Sequence, residues 1–228
     1  MDNPIFWLAV TFAFYYIAGL LRKRIGWVLL NPILITIIVI ICLLELSDVT
    51  YETYQGGGKY IEFWLKPAIV ALGVPLYKHL NSIKEHFIPI FLSQLAGSVI
   101  GIVSVAAIAD VLGATNEVII SLAPKSVTTP IAIEISSTLG GIPSLTAAVV
   151  VPVGILGAVL GYKTMELVRL KDDISMGLSM GTASHAVGTA ASMEVNPIHG
   201  AYATLGLILN GILTSLFAPF VLRIMGYL

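Results

Sequence analysis

Charged residues are scarce in this chain. Of its 228 residues, 12 are Lys or Arg and 13 are Asp or Glu, so 11% are charged, whereas 57% are hydrophobic. A soluble domain carries about 25% charged residues, and a surface this poor in charge would not keep a protein in solution. The composition therefore excludes a soluble globular domain and indicates a membrane protein.

Cysteine and clusters of basic residues are rare as well. The single cysteine, Cys42, lies inside an apolar run, so the chain cannot form an intramolecular disulfide. No Cys/His cluster is present in the sequence, so neither a metal site nor a cofactor is expected. The longest basic run is Arg22–Arg24, which argues against nucleic acid as a partner.

Long apolar segments are abundant. A transmembrane helix needs about 20 apolar residues, whereas a membrane β-strand alternates over about 10, and the runs here are long and do not alternate. We predict an all-α, multi-pass transmembrane bundle of about seven spans plus broken or re-entrant segments. The predicted spans are Ile5–Leu21, Trp27–Leu46, Ile61–Leu80, Phe87–Ala109, Leu145–Tyr162, Ile174–Ser192 and Ile198–Leu222.

Basic loops predict the orientation of these spans, because Lys and Arg favour the cytoplasmic side. The Arg22–Arg24 loop is expected inside, and the glycine-containing loop Ser47–Tyr60 and the acidic loop Asp110–Glu117 are expected outside. The other residues expected inside in the first half are Lys78, His79, Lys84 and His86.

The second half of the chain differs from the first, although both are expected to belong to one membrane domain, 1–228. Residues 1–110 are predicted to form four regular spans, whereas 118–228 form a core with a broken helix. Val118–Leu139 either crosses the membrane or enters and returns. We favour the re-entrant course, because it places the Lys163–Lys171 loop and Arg223 inside. The expected helix breaks are Pro124, Pro130, Gly140 and Gly141.

A faint internal repeat accompanies these breaks. Asn31–Ile33 recurs as Asn196–Ile198, and Leu65–Pro67 resembles Ala123–Lys125. Interrupted apolar segments combined with internal repeats are typical of transporter cores.

The segment Ser121–Pro130 is the strongest candidate site. Its two prolines free backbone groups that, inside a membrane, must be satisfied by protein or water, so the segment requires a cavity or a break lined by protein. A helix that begins near Ser126 would direct its N–H groups there, and Lys125 adds a positive charge. This arrangement predicts an anion site, with a proline kink and an interfacial Lys125 as the alternative. The residues assigned to substrate binding are Lys125, Ser126, Thr128, Thr129 and Ser184.

Two further ionisable residues are candidates for proton or ion coupling. Glu134 lies in an otherwise apolar run, and a carboxylate at membrane depth is a functional hypothesis by default. Its alternatives are a position at the interface or pairing with Lys125. His185 lies among small residues that permit close helix packing, and histidine changes charge near neutral pH. A structural role for His185 is the alternative.

Several strings resemble the LrgB/CidB family, over nearly the whole chain. They are Asn31-Pro32, Pro67–Tyr77, Leu122–Ala132, Leu139–Ala147 and Gly181–Ala190. The resemblance implies a multi-pass protein of the bacterial cytoplasmic membrane. Bacterial members are named as holin-like or antiholin-like proteins that modulate murein hydrolase export and autolysis with a small LrgA/CidA-type partner. Plastid relatives look like glycolate/glycerate translocators, and some bacterial members are linked to pyruvate uptake.

The residues favour a transporter of small carboxylates, with proton coupling as one option, and the resemblance implies pyruvate, glycolate or glycerate as examples of the substrate. A regulator of murein hydrolases would need oligomerisation surfaces but no cationic pocket broken by prolines, and it is the alternative. An enzyme is not expected, because no paired acid–base or metal set is present. The expected partners are membrane lipid, a carboxylate, an LrgA/CidA-type protein and further copies of the chain.

Overall fold

The computed structural model describes residues 3–25, 30, 32–71, 74, 77 and 80–228. Within these ranges every regular element is a helix, which confirms the predicted all-α class. Trp27, Asn31, Lys78 and His79, which the sequence analysis used, lie outside the described residues. The chain divides into two compact units, Met1–Gly73 and Val74–Leu228.

The first unit contains α1 (Pro4–Ile25), α2 (Pro32–Leu46) and α3 (Tyr51–Ala71). The glycine run 56–58, expected in an external loop, lies inside α3, so that expectation was wrong. The physical reason is close packing. A Cβ on Gly57 would come within 2.9 Å of Trp7 Cβ on α1, so only glycine permits this approach of the two helices.

The second unit contains the remaining helices. They are α4 (Leu80–Glu85), α5 (Phe87–Val111), α6 (Asn116–Leu122), α7 (Thr129–Leu139), α8 (Pro143–Leu167), α9 (Asp173–Val195) and α10 (Pro197–Ile224). Helices α1, α5, α8 and α10 are each long and apolar enough to span a membrane. Large apolar side chains cover their outer faces, as at Ile100 and Phe220, and such faces favour lipid over water. The protein is a multi-pass membrane protein.

Helices α6 and α7 form a helical hairpin, termed hairpin 1 (116–139), whose tip is the turn 123–128. Thr146, at the start of α8, shows that α7 returns beside α6. Its hydroxyl oxygen lies 2.9 Å from the Ser121 carbonyl oxygen on α6 and 2.8 Å from Ser136 Oγ on α7. Both ends of hairpin 1 therefore lie at the same end of the unit, which favours the re-entrant course over a full crossing.

Helix α9 is also a hairpin, termed hairpin 2 (173–195), whose tip is His185. The backbone leaves helical geometry there, with φ 41° and ψ −137°. A Cβ on Gly188 would lie 2.7 Å from the Met180 carbonyl oxygen, whereas eight residues of straight helix span about 12 Å. Ile174–Ser192 was expected to cross the membrane, and this was wrong, because a reversal at one residue leaves no trace in hydropathy.

The two hairpins enter the second unit from opposite ends. The start of α5 packs against the starts of α9 and α10, and its end packs against the end of α10. Arg223 therefore lies at the same end as the Asp110–Glu117 loop, opposite the Lys163–Lys171 loop. The expectation that Arg223 and the Lys163–Lys171 loop share one side was wrong, because it counted hairpin 2 as a span.

An inverted internal repeat underlies this arrangement. Residues 97–140 align without gaps on 157–200, sixty positions later, so that α5 with hairpin 1 corresponds to α8 with hairpin 2. The two copies run in opposite directions. The identical pairs are Gly97/Gly157, Val99/Val159, Gly101/Gly161, Ala123/Ala183, Val127/Val187, Thr129/Thr189, Glu134/Glu194 and Gly140/Gly200.

Hairpin 2 begins at a side-chain cap that makes its stability depend on pH. The Ser175 hydroxyl and backbone N–H donate to the Asp172 carboxylate at 2.6 and 2.8 Å, and these bonds hold the pKa of Asp172 below its usual value. The charged form is thus favoured in the folded protein. Its stabilising effect is full above the unfolded pKa of about 4 and is lost as pH falls through the folded pKa.

We expect Asp172→Ala to lower stability by about 1 kcal/mol at neutral pH, the usual value of an N-cap. Thermal unfolding in detergent micelles measures this difference, which should shrink as pH falls below about 4. Asp172→Asn is the matched control, because asparagine caps as well and does not titrate. A difference between wild type and Asp172→Ala that stays constant from pH 7 to pH 3 would contradict the prediction.

Candidate functional site

A cavity of about 470 Å³ lies inside the second unit. Its walls are α5, the tip of hairpin 1, the first arm of hairpin 2 and α10, with Val153 of α8, and its volume suits a small ligand. Amides and hydroxyls line it together with one amine. The polar residues that matter below are Ser93, Gln94, Ser98, Lys125, Ser126, Thr182, Asn210 and Thr214.

Lys125 is the one charged residue among those that line this cavity. Its Nζ donates to Ser126 Oγ at 3.2 Å. Within the described part of the chain, no carboxylate forms a salt bridge with it. A partly buried charge that lacks a counter-charge is unfavourable, so the cavity is electrostatically suited to an anion.

Asn210 on α10 connects the two hairpin tips. Its Nδ2 donates to the Ser126 carbonyl of hairpin 1 and to the Thr182 carbonyl of hairpin 2, each at 3.0 Å. Its Oδ1 accepts from Ser98 on α5 at 2.6 Å. These carbonyls need such a donor, because the helix breaks remove their usual partners. One amide therefore holds three elements around the cavity.

The remaining residues assigned to substrate binding lie apart from this cavity. Thr128 precedes α7 in extended conformation and Thr129 begins α7, and neither lines the cavity. Ser184 lies at the tip of hairpin 2, on the side that faces α8, and a Cβ on Gly157 would overlap it. Its hydroxyl oxygen is buried without a hydrogen-bond partner in the described part of the chain.

The expected helix-break residues occupy turns or helix ends. Pro124 lies in the tip of hairpin 1, and Pro130 is in the first turn of α7, where a missing N–H leaves no bond unmade. Gly140 ends α7 with φ 86°, a left-handed conformation that glycine adopts readily. Gly141 has no room for a Cβ, which would come within 2.9 Å of Ser121 Oγ.

Glu134 lies on the exposed face of α7, in a separate groove of about 550 Å³. The groove is lined by residues of α7 and α10, among them Thr138 of α7 and Ser215 of α10. Glu134 and Lys125 form no salt bridge among the described residues, so the structure does not support their pairing. The carboxylate instead faces the surroundings of the unit.

His185 packs toward α8 rather than into the cavity. Its Nε2 lies 2.9 Å from the Val150 carbonyl oxygen, and its ring fills the space beside Gly154, where a Cβ would overlap it. A positive φ at a residue other than glycine costs about 1–3 kcal/mol. The contacts of the ring with α8 therefore offset this strain.

A second polar cluster holds the base of hairpin 2. His199 Nδ1 lies 3.0 Å from the hydroxyl of Tyr162 on α8, and its Nε2 lies 2.9 Å from the carboxylate of Asp173. Because Asp173 begins hairpin 2 and His199 follows its end, this histidine joins both ends of the hairpin to α8.

Sequence reasoning missed Gln94, Thr182 and Asn210, which are polar side chains inside long apolar segments. The signal that could have found one of them is the sixty-residue offset, because it pairs Leu122 in the proline segment with Thr182. It also pairs Lys125 with His185, the tip residues of the two hairpins. Asn210 lies beyond the repeat, and only its contacts identify it.

Comparison with known proteins shows the family. The model of the LrgB-like family matches residues 11–224. The uncharacterized protein YwbG of Bacillus subtilis is 37% identical over 218 residues, which is 96% of this chain and 97% of that protein. The holin-like protein CidB of Staphylococcus epidermidis is 33% identical over 217 residues, 95% of each chain. The antiholin-like protein LrgB of Bacillus mycoides is 33% identical over 225 residues, 98% of each chain. No solved structure matches the chain. This chain belongs to the LrgB-like family.

Proposed function

We propose that this protein transports small carboxylates, of the size of pyruvate, glycolate or glycerate, through the cavity between the two hairpin tips. The observation that carries the proposal is the single cation, Lys125, in a cavity otherwise lined by neutral amides, hydroxyls and apolar groups. Such a lining attracts one negative charge and offers hydrogen bonds to the rest of a small polar molecule.

The inverted repeat supports the function of a transporter rather than that of a static pore. Transporters are commonly built from inverted repeats whose interrupted helices meet at the substrate site near the middle of the membrane. Here hairpins 1 and 2 enter from opposite ends, and Asn210 joins their tips beside Lys125. Three further contacts to the ligand remain proposed, namely Thr128, Thr129 and Ser184. Because they lie apart from the cavity, the hairpin tips would have to rearrange to bring them to the ligand.

Uptake into vesicles tests this function. The purified protein is reconstituted with and without a small LrgA/CidA-type partner, and uptake of labelled pyruvate, glycolate and glycerate is measured. We expect uptake of at least one of them above that of protein-free vesicles. The absence of uptake and of binding in both preparations would overturn the proposal.

Proton coupling is proposed through Glu134, with His185 as the second candidate. A monocarboxylate that enters against a negative interior needs a cation to accompany it, and a proton serves this purpose. We expect Glu134→Gln to fold and bind carboxylate, while its uptake loses the dependence on a pH gradient. Glu194→Gln, which changes the corresponding residue of hairpin 2, is the matched control. Gradient-driven uptake that survives in both Glu134→Gln and His185→Ala would refute this coupling.

A regulatory role is the second candidate, because relatives are named holin-like and antiholin-like proteins. In that role the chain would act in murein hydrolase export and autolysis with a small LrgA/CidA-type partner, and as a homo-oligomer. It would need contact surfaces but no cationic cavity. Autolysis that is unchanged by Lys125→Ala and altered by loss of the partner would favour this role.

A further inference from the structure

We propose that Gln94 is a specificity-determining residue of the anion site, and that a carboxylate binds between its amide and the Lys125 ammonium. This inference rests on the proposed carboxylate function and identifies the second side of the same site. It is carried by the placement of Gln94 and, independently, by the inverted repeat.

The hydrogen bonds of Gln94 orient it for a ligand. The side chain lies on α5, is 3% exposed and lines the same cavity as Lys125. The Thr182 hydroxyl oxygen of hairpin 2 lies 2.5 Å from Gln94 Oε1 and 2.7 Å from the Leu178 carbonyl oxygen, and its single proton is donated to one of them. No hydrogen bond to the Gln94 amide nitrogen is present among the described residues, so N–H donors of Gln94 remain for the cavity. A ligand oxygen in the cavity would accept from these donors.

The second copy of the inverted repeat shows how two such positions meet. Extending the sixty-residue offset three positions back along α5 relates Gln94 to Gly154, as it relates Lys125 to His185. In that second copy the tip residue packs against the helix: the His185 ring lies beside Gly154 and leaves no space between them. In the first copy the corresponding two residues both line an open cavity. The carboxylate would thus occupy the space that the histidine ring fills in the second copy.

The chemistry of the two groups sets the selectivity. A carboxylate has two oxygens, so one can accept from the ammonium and the other from the amide. A second carboxylate on the ligand would face only neutral groups, and burying an unpaired charge there is unfavourable. The site therefore suits a molecule with one carboxylate. The Gln94 amide favours a carboxylate over a smaller anion, because it binds the second carboxylate oxygen.

The test compares three substitutions in the full-length protein in lipid nanodiscs. Gln94→Glu keeps an oxygen toward Thr182 but adds a carboxylate that would itself pair with Lys125. Gln94→Met keeps the volume and removes the donors. Gln55→Glu makes the same substitution at the other glutamine of the sequence, which is in the first unit. Calorimetry with glycolate and with pyruvate measures the affinity, and thermal unfolding without ligand measures stability.

We expect affinity for the probe to fall about tenfold or more in Gln94→Met and further in Gln94→Glu, because a charge-assisted hydrogen bond is lost. Gln55→Glu should bind as wild type does. Gln94→Glu should unfold at or above the wild-type temperature, since its new ion pair stabilises the cavity. A purely structural residue would instead lower the unfolding temperature and leave the affinity unchanged.

Two results would overturn the inference, and they differ in whether the proposed carboxylate function also fails. Binding in both Gln94 variants within about twofold of wild type, with loss of binding in Lys125→Ala, would refute the role of Gln94 and leave the carboxylate function intact. Wild type that binds neither glycolate nor pyruvate would refute the proposed function, and the role of Gln94 with it. Should Gln94→Glu not fold, Gln94→Met alone decides.

Discussion

Replacing Lys125 by alanine is expected to weaken carboxylate binding strongly while leaving the protein folded in the membrane. Lys125 supplies the one positive charge among the residues that line the cavity. Hydrogen bonds to charged groups contribute about 1.5–3 kcal/mol, so the affinity should fall about 10- to 150-fold. Calorimetric titration of the purified protein with glycolate and pyruvate measures this change, and vesicle uptake should fall with it.

Two variants separate charge from packing at this position. Lys125→Met retains most of the aliphatic stem, and it should lose binding as Lys125→Ala does. Lys125→Arg retains the charge but replaces a point charge by a planar fork, so only partial binding is expected. Lys171→Ala, on the exposed loop before hairpin 2, is the matched control and should bind normally. Wild-type uptake by Lys125→Ala would exclude an anion site at this residue.

Replacing Asn210 by leucine is expected to lower the stability of the protein more than any other substitution proposed for it. The substitution leaves the Ser126 and Thr182 carbonyl oxygens without the donor that now joins the hairpin tips. Each buried carbonyl left without a partner costs about 1–3 kcal/mol, so the total is about 2–6 kcal/mol. Thermal unfolding in detergent should show a decrease of at least about 5 °C.

Thr214→Val is the matched control for Asn210→Leu. Its hydroxyl also contacts Asn210, at a longer 3.3 Å from Oδ1, and its removal leaves both carbonyl bonds intact. We expect a loss of about 1 kcal/mol or less. If Asn210→Leu unfolds within one or two degrees of Thr214→Val, the amide does not hold the hairpins together.

The anion site could be predicted in part, because its signals are local. Proline inside an apolar run breaks a helix wherever the run folds, and the position of Lys125 between two prolines can be read from the seven residues Pro124–Pro130. Its partners could not be predicted in this way. Gln94 and Asn210 are about 30 and 85 positions away from Lys125, and a polar residue within a transmembrane helix is equally consistent with many neighbours.

Hairpin 2 shows why the helical type of a segment was easier to predict from the sequence than its path through the membrane. A helix was expected for Ile174–Ser192 and is observed for Asp173–Val195, because the backbone hydrogen bonds of each arm join residues only four positions apart. The reversal depends on one residue, His185, held at φ 41° by the Val150 carbonyl and the space beside Gly154. Those partners belong to α8, so the reversal is a property of packing.

By itself, the sequence determined that this is an all-α membrane protein of the LrgB-like family and that its second half contains a broken, cationic segment. Hydropathy and proline chemistry act over a few turns of helix, so their effects can be inferred from neighbouring residues. Only the tertiary structure decided that both interrupted segments are hairpins from opposite ends, that Glu134 and Lys125 are separate, and that Gln94 and Asn210 share the cavity with Lys125. Each of these depends on contacts between distant helices, and such contacts are selected by close packing of glycines and by the need of buried carbonyls for donors.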